Sequence, residues 1–190
     1  MESENTAEAT TGTQATPRIY VASLADYNAG RLLGRWIDAA QPAEDIQAAI
    51  QAMLNESRQA VAEDWAIHDY EHFAGLRLSE FEDIERVALV ARGIVEHGPV
   101  FAGLVSHLGG TQSIDEAQRY MDEGYRGAFE RLADYAQEMI EDCYSDAIKG
   151  LPDFIRYRID FDGIADDLEM SGDIFTIACN GQIHVFDSHI

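Results

Sequence analysis

The stretch Tyr125–Cys143, YRGAFERLADYAQEMIEDC, carries two patterns at once. Leu132, Tyr135, Ala136, Met139, Ile140 and Cys143 recur at the spacing of one apolar helix face. Glu130, Asp134, Glu138 and then Glu141 and Asp142 recur about one helical turn apart and line another face with carboxylates. Lysine is absent, and Arg126 and Arg131 are the only bases. Like charges four residues apart cost a helix about 0.2–0.5 kcal/mol per pair, so a helix shaped only for solubility alternates its signs. At ~1.5 Å of rise per residue, such carboxylates stand roughly 6 Å apart, close to the phosphate spacing of a nucleic-acid strand. The row is read either as an imitation of a DNA backbone or as an ordinary solvated face.

Composition sharpens that choice. The chain has 190 residues, 35 acids against 13 bases and a formal charge of −22, yet 46% of its residues are hydrophobic. That content indicates a folded protein instead of an acidic tail. The charge destabilises the compact state by self-repulsion, disfavours nucleic acid and anionic membranes as partners, and favours a large basic surface. Halophilic adaptation would give a similar excess. The acids are dispersed but densest late: residues 113–146 hold ten against three bases. Cys143 and Cys179 fall on apolar faces and read as buried thiols of a reducing cytosol. No secretory leader is evident in the polar first 16 residues, and no apolar run reaches the ~20 residues of a membrane span. A cytoplasmic location follows as an expectation.

Read in order, the chain is α+β. Residues 1–16 are polar and expected to be disordered. Residues 17–76 suggest a small sheet with one helix. A strand follows Pro17 with Ile19 and Val21 on one face, and turn chemistry occupies Asp26–Gly30. Arg31–Ala39 reads as a second strand whose glycine marks a possible bulge. A helix carries Ile46, Ala49, Ile50, Met53 and Leu54, and Trp65–Tyr70 is a third strand. Residues 77–110 are helical: Ser79 with Glu82 suggests a capping box, and Gly98-Pro99 separates two apolar helices. Residues 111–190 begin with a helix expected to be capped by Ser113, followed by a short extended YRGAF and the acidic helix. A break at Gly150-Leu151-Pro152 follows, then an acidic segment over Asp160–Met170 with Ile164 and Leu168 inward. The end is a hairpin turned at Asn180-Gly181.

Chemical motifs are weak. His68, Glu71 and His72 match H-x-x-E-H, but zinc chemistry needs both histidines on a helix face and this stretch alternates like a strand. Asp160-Phe-Asp162-Gly163 has the glycine too early for a calcium loop and suits a capped helix start. Ser106-His107 sits in an apolar helix and suggests packing; Arg31 and Arg35 flank Trp36 and suit a cation–π pair. No phosphate loop, nucleophile elbow or basic–aromatic interleaving is present, and nothing assembles a nucleophile, a base and an oxyanion site.

Three stretches carry a family resemblance. Pro17–Ala39, PRIYVASLADYNAGRLLGRWIDA, resembles the N-terminal signature of ArdA antirestriction proteins; Asp122–Asp142 is similar to the family's antirestriction motif region, and Ile174–Ser188 to its C-terminus. The resemblance implies an elongated molecule of three small subdomains, a homodimer joined through its C-terminal part, without catalysis or cofactor. It implies a DNA mimic that occupies the DNA-binding groove of type I restriction–modification enzymes, at their methyltransferase core, and blocks restriction and partly methylation. The motif falls on Gly124, Tyr125, Gly127, Phe129, Leu132, Asp134, Tyr135 and Ala136. The expected phosphate stand-ins are Asp115, Glu116, Asp122, Glu123, Glu130, Asp134, Glu138, Glu141, Asp142, Asp160, Asp162, Asp166 and Asp167. Arg126 and Arg131 lie close to that row and suggest that part of it meets a second protomer. Duplex DNA presents one charge per ~1.7 Å, so 22 charges match at most roughly 37 Å of duplex. The rival readings are a binder of another basic partner, such as a nucleoid protein or repressor, and a metal hydrolase using His68, Glu71 and His72.

Overall fold

The computed structural model describes residues 15–190. The expected disorder of residues 1–16 falls almost wholly outside them. The first strand, β1 (Arg18–Ser23), is the middle strand of a three-stranded antiparallel sheet, between β2 (Gly34–Asp38) and β3 (Trp65–Glu71). Its central place explains why Ile19, Val21, Ala22 and Ser23 are all buried instead of alternating. The bulge lies between Tyr20 and Val21 of β1 where it pairs with β3, not in the second strand. Gly34 serves close packing instead: a Cβ there would meet the Val21 carbonyl oxygen at 2.6 Å. The expected Asp26–Gly30 turn is in large part a short helix, α1 (Leu24–Asn28), which Ser23 caps and which ends in a turn at Ala29 and Gly30. Helix α2 (Ala43–Leu54) packs Ile46, Ile50, Met53 and Leu54 into the core.

Helix α3 (Ile84–His97) starts four residues later than the Ser79 capping box predicts. Asp83 is its cap, accepting from the amides of Glu85 and Arg86. The Ser79 amide does donate to Glu82, so the reciprocal half of the motif forms, but it closes a turn ahead of the helix. Gly98, at φ +77°, then reverses the chain into α4 (Pro99–His107), with proline in its first turn. The two helices approach closely because Gly93 has no side chain; a Cβ there would stand 2.2 Å from the Phe101 ring. Through Leu104, Val105 and Phe101 helix α4 extends the core toward the C-terminal half, where His107 stacks on Phe175 at 4.8 Å between ring centroids.

A short helix, α5 (Ile114–Arg119), follows. Ser113 does not cap it; its hydroxyl donates to the Leu108 carbonyl. The helix widens into a π-turn over residues 120–124 and delivers the chain to β4 (Tyr125–Phe129). Helix α6 (Leu132–Cys143) comes next, then two short helices that the sequence reading missed, α7 (Ser145–Lys149) and α8 (Asp153–Arg156). Helix α9 (Phe161–Ser171) is capped by Asp160, and buries Ala165 while Ile164 and Leu168 are only half-buried. The hairpin of β5 (Ile174–Cys179) and β6 (Gln182–Asp187) turns at Asn180 and Gly181, at φ +51° and +78°, as the type I′ signal requires. With β4 it forms a second antiparallel sheet, in the order β4-β6-β5. The fold is α+β, and one hydrophobic cluster reaches from Ile19 to Phe186.

Two side-chain expectations need correction. Cys143 is exposed and Cys179 half-buried, because α6 ends in solvent and β5 lies on the edge of its sheet. Neither Arg31 nor Arg35 stacks on Trp36: Arg18 lies over its ring at 5.0 Å, while Arg31 faces buried Asp26 at 3.4 Å and Arg35 pairs with Glu56. Ser23 and Ser57 also donate to Asp26 and hold its carboxyl below the ordinary range, the Ser57 bond leading and outweighing burial.

Candidate functional site

Helices α6 and α9 lie against each other through small residues: Ala133 and Ala136 of α6 and Ala165 of α9 are buried. Small residues let two backbones approach, and the longer side chains around them are left outside. On α6, Asp134, Glu138, Glu141 and Asp142 are exposed, as are Asp162, Asp166 and Asp167 on α9. Glu130 does not continue the α6 row, because the helix begins at Leu132 and Glu130 sits in the bend before it. Asp115 and Glu116 project from the first turn of α5, and Asp122 and Glu123 from the π-turn. The acids therefore come from α5, the π-turn, the bend before α6, α6 itself and α9.

Hydrogen bonding divides them. Asp134 accepts the Arg131 amide at 3.1 Å and closes the start of α6. Asp160 accepts the Gly163 amide at 3.0 Å, the capped helix start anticipated over a calcium loop. Asp122 accepts from Gln118 at 3.1 Å and Glu141 from Gln137 at 2.8 Å. Asp162 pairs with Arg131, whose guanidinium pKa is raised by that hydrogen bond. Arg131 thus ties the start of α6 to the start of α9. Asp115, Glu116, Glu123, Glu130, Glu138, Asp142, Asp166 and Asp167 make no side-chain hydrogen bond or ion pair among the described residues, so their charge is directed outward.

The resemblance motif does different work. Gly124 allows the π-turn to meet the end of β6: a Cβ would stand 2.9 Å from Tyr120 and 3.3 Å from the Asp187 carbonyl oxygen. Gly127, at φ +122°, sits at the bulge in the β4–β6 pairing. The Tyr125 hydroxyl and His184 Nδ1 are 2.9 Å apart; burial raises the tyrosine pKa and lowers the histidine's. Phe129 meets Tyr135 edge-on at 5.4 Å between centroids, Leu132 is half-buried and Ala136 fully buried. Arg126 pairs with Asp187 at 2.8 Å. Apart from Asp134, the motif is framework that aims α6.

A family model described as antirestriction protein (ArdA) matches residues 19–180. The chain belongs to the ArdA antirestriction family. Antirestriction proteins act against restriction enzymes, and the matched span runs from β1 through β5, includes all of α6 and α9, and stops before β6. No curated protein matches the chain. Within this ArdA chain, His68 lies on β3 with its ring edge-on to Tyr27, and His72 follows the strand at φ +64°, so the histidines share no helix face. No group of three or more metal-ligating side chains occurs among the described residues. No helix among them is long and apolar enough to cross a membrane.

The sequence reading passed over one further surface. Helices α7 and α8 bury no residue. Phe154 and Tyr157 are 75% and 76% exposed, with Ile155 between them and exposed Tyr144 just before α7. A groove next to them is lined by Ile140, Ile148, Ile159 and Phe161. Residues 144–159 hold Lys149, Arg156 and Arg158 against Asp146 and Asp153, a rare cationic stretch in a strongly anionic chain. The run Phe154-Ile-Arg-Tyr-Arg was its visible signal.

Proposed function

We propose that this protein inhibits type I restriction–modification enzymes as a DNA mimic, without catalysis or cofactor. It would present carboxylates where those enzymes hold phosphates, at the methyltransferase core, and so block restriction and part of methylation. The observation that carries the reading is the set of unpaired, exposed acids on α5, the π-turn, α6 and α9 of an ArdA-family chain with a charge of −22. An enzyme groove shaped for rows of fixed anions needs no base readout to accept such a surface. Binding is then electrostatically steered and weakens steeply with salt.

The homodimer belongs to the same proposal, joined through α7 and α8 of the C-terminal part. Two copies of a −22 chain repel over most of their surface, whereas this stretch is apolar and locally cationic. Docked on a second copy, it would lie near that copy's acidic α6 end and spare the remaining acids for the enzyme. The division into three subdomains, with boundaries near residues 76 and 110, and the cytoplasmic location stay part of the proposal.

The test is a titration against a type I restriction–modification enzyme with labelled DNA bound, at two salt concentrations. Displacement that weakens sharply at the higher salt is expected. No displacement at low salt would overturn the reading and favour another basic partner.

A further inference from the structure

Distant from α6 and α9 in the sequence, the N-terminal half carries a second acidic surface built differently. Trp65, the first residue of β3, stands between two hollows of about 490 and 420 Å3 that share Glu82 as a wall. The first is lined also by Leu24, Phe81, Glu63 and Asp64; the second by Ile50, Asp83 and Glu85 among others. No basic residue lines either. Phe81 is 67% exposed and shares its hollow with Leu24 and Trp65.

The carboxylates here divide as they do on α6. Glu82 accepts from Thr111 at 2.8 Å and from the Ser79 amide, and Asp83 caps α3; both are engaged in holding the fold. Glu63, Asp64 and Glu85 are exposed and make no side-chain hydrogen bond or ion pair among the described residues. Glu85 lines the other hollow, so the Trp65–Phe81 hollow sets two aromatic residues beside two free carboxylates, Glu63 and Asp64, a set that matches a planar cation. A guanidinium stacks on aromatic faces and donates in a fork to carboxylates, whereas an ammonium is a compact, strongly hydrated charge.

We propose that the Trp65–Phe81 hollow is a docking site for an arginine side chain of the partner protein. It rests on the reading above, in which that partner is a basic enzyme groove, and adds to it a contact that separates arginine from lysine. A row of solvated carboxylates offers no such separation, so the two surfaces have different chemistry: α6 and α9 supply field, and the hollow supplies a shaped pocket.

Trp36 and Trp65 are the only tryptophans, so a Trp36→Phe background makes emission a report on Trp65. The probe is a capped hexa-arginine peptide, compared with capped hexa-lysine at the same salt. Hexa-arginine is expected to shift Trp65 emission at roughly tenfold lower concentration. Phe81→Ala and the double variant Glu63→Gln, Asp64→Asn should each remove that preference, with thermal melting unchanged because these side chains are exposed. Equal response to the two peptides, or full preference in both variants, overturns the proposal. Displacement of DNA from the restriction enzyme with no arginine preference sinks the hollow and leaves the mimicry standing. Arginine preference without displacement sinks the mimicry and leaves the hollow.

Discussion

Helices α3 and α6 look alike on paper and are used in opposite ways. Both are amphipathic and both follow a change of chain direction. Yet α3 buries seven of its residues, among them Val87, Ala88, Val90 and Ala91, whereas α6 buries only Ala133 and Ala136. Helix α3 lies between α2, α4 and α5, while α6 has α9 and the second sheet on one side and solvent on the other. The difference shows where a chain of this charge places its stability. The dense core is made by residues 17–108, where Ile19, Ile46, Val87, Phe101 and Leu104 are almost wholly enclosed. The acids of α6 and α9 sit on the thinly packed part, where a carboxylate keeps its hydration and costs little.

The largest effects should separate those two regions by stability. Phe101→Ala removes a fully buried ring at the junction of α3 and α4 and should cost about 3–5 kcal/mol, whereas Met139→Ala on half-buried α6 should cost well under half of that; chemical denaturation of both variants measures the ratio. Similar losses would mean that α6 contributes to the core as α3 does.

Next comes the framework under the acids. Gly127→Ala forces a side chain onto φ +122° at the bulge and should cost on the order of 1–3 kcal/mol. Inhibition should fall with it even though every carboxylate remains, and a hydrogen-exchange map should show β4 and β6 loosened. Loss of inhibition with unchanged protection would assign Gly127 a direct contact.

The acids themselves should move binding and not stability. Neutralising Glu138, Asp142, Asp166 and Asp167 together as amides should leave the stability unchanged or raise it by up to ~0.5 kcal/mol, because like charges are relieved. The same variant should weaken DNA displacement and flatten its salt dependence. Any one of the four changes alone should be nearly silent. A single Asp166→Asn that abolished inhibition in a folded protein would replace a distributed surface by a discrete contact.

The smallest effect concerns pH. Burial holds the folded-state pKa of His184 below its ordinary value, so the unfolded chain takes up the proton first as pH falls. Its stabilising contribution is complete above the ordinary histidine pKa. It declines as pH drops through that value, and is gone below the folded-state pKa. His184→Gln should therefore flatten the stability profile in the mildly acidic range while leaving the neutral value close to unchanged. An unaltered slope in urea titrations between neutral pH and the carboxylate range would show that Tyr125 and His184 are not coupled to folding.

The sequence determined the elements whose cause is local. The Asn180-Gly181 hairpin needs only a turn that requires positive φ, and α2 needs only its apolar period. Asp160 as a cap is likewise a matter of three residues. The family was legible too, since signatures such as YVASLADYNAG are contiguous. Tertiary structure decided which acids are free. Asp162 looks identical to Asp166 and Glu138 in a list of charges. It differs because Arg131, 31 residues away, lies within reach in space, whereas Asp134 and Asp160 are held by amides three residues off. It also decided that α3 starts at the second of two competent caps, because Ile84 is the residue that reaches the core. Gly124 and Gly127 became framework because a bulge and a close approach to β6 exist only once the sheet is paired. Periodicity records which side of a helix is apolar; how much of that side is covered depends on what the rest of the chain brings to it.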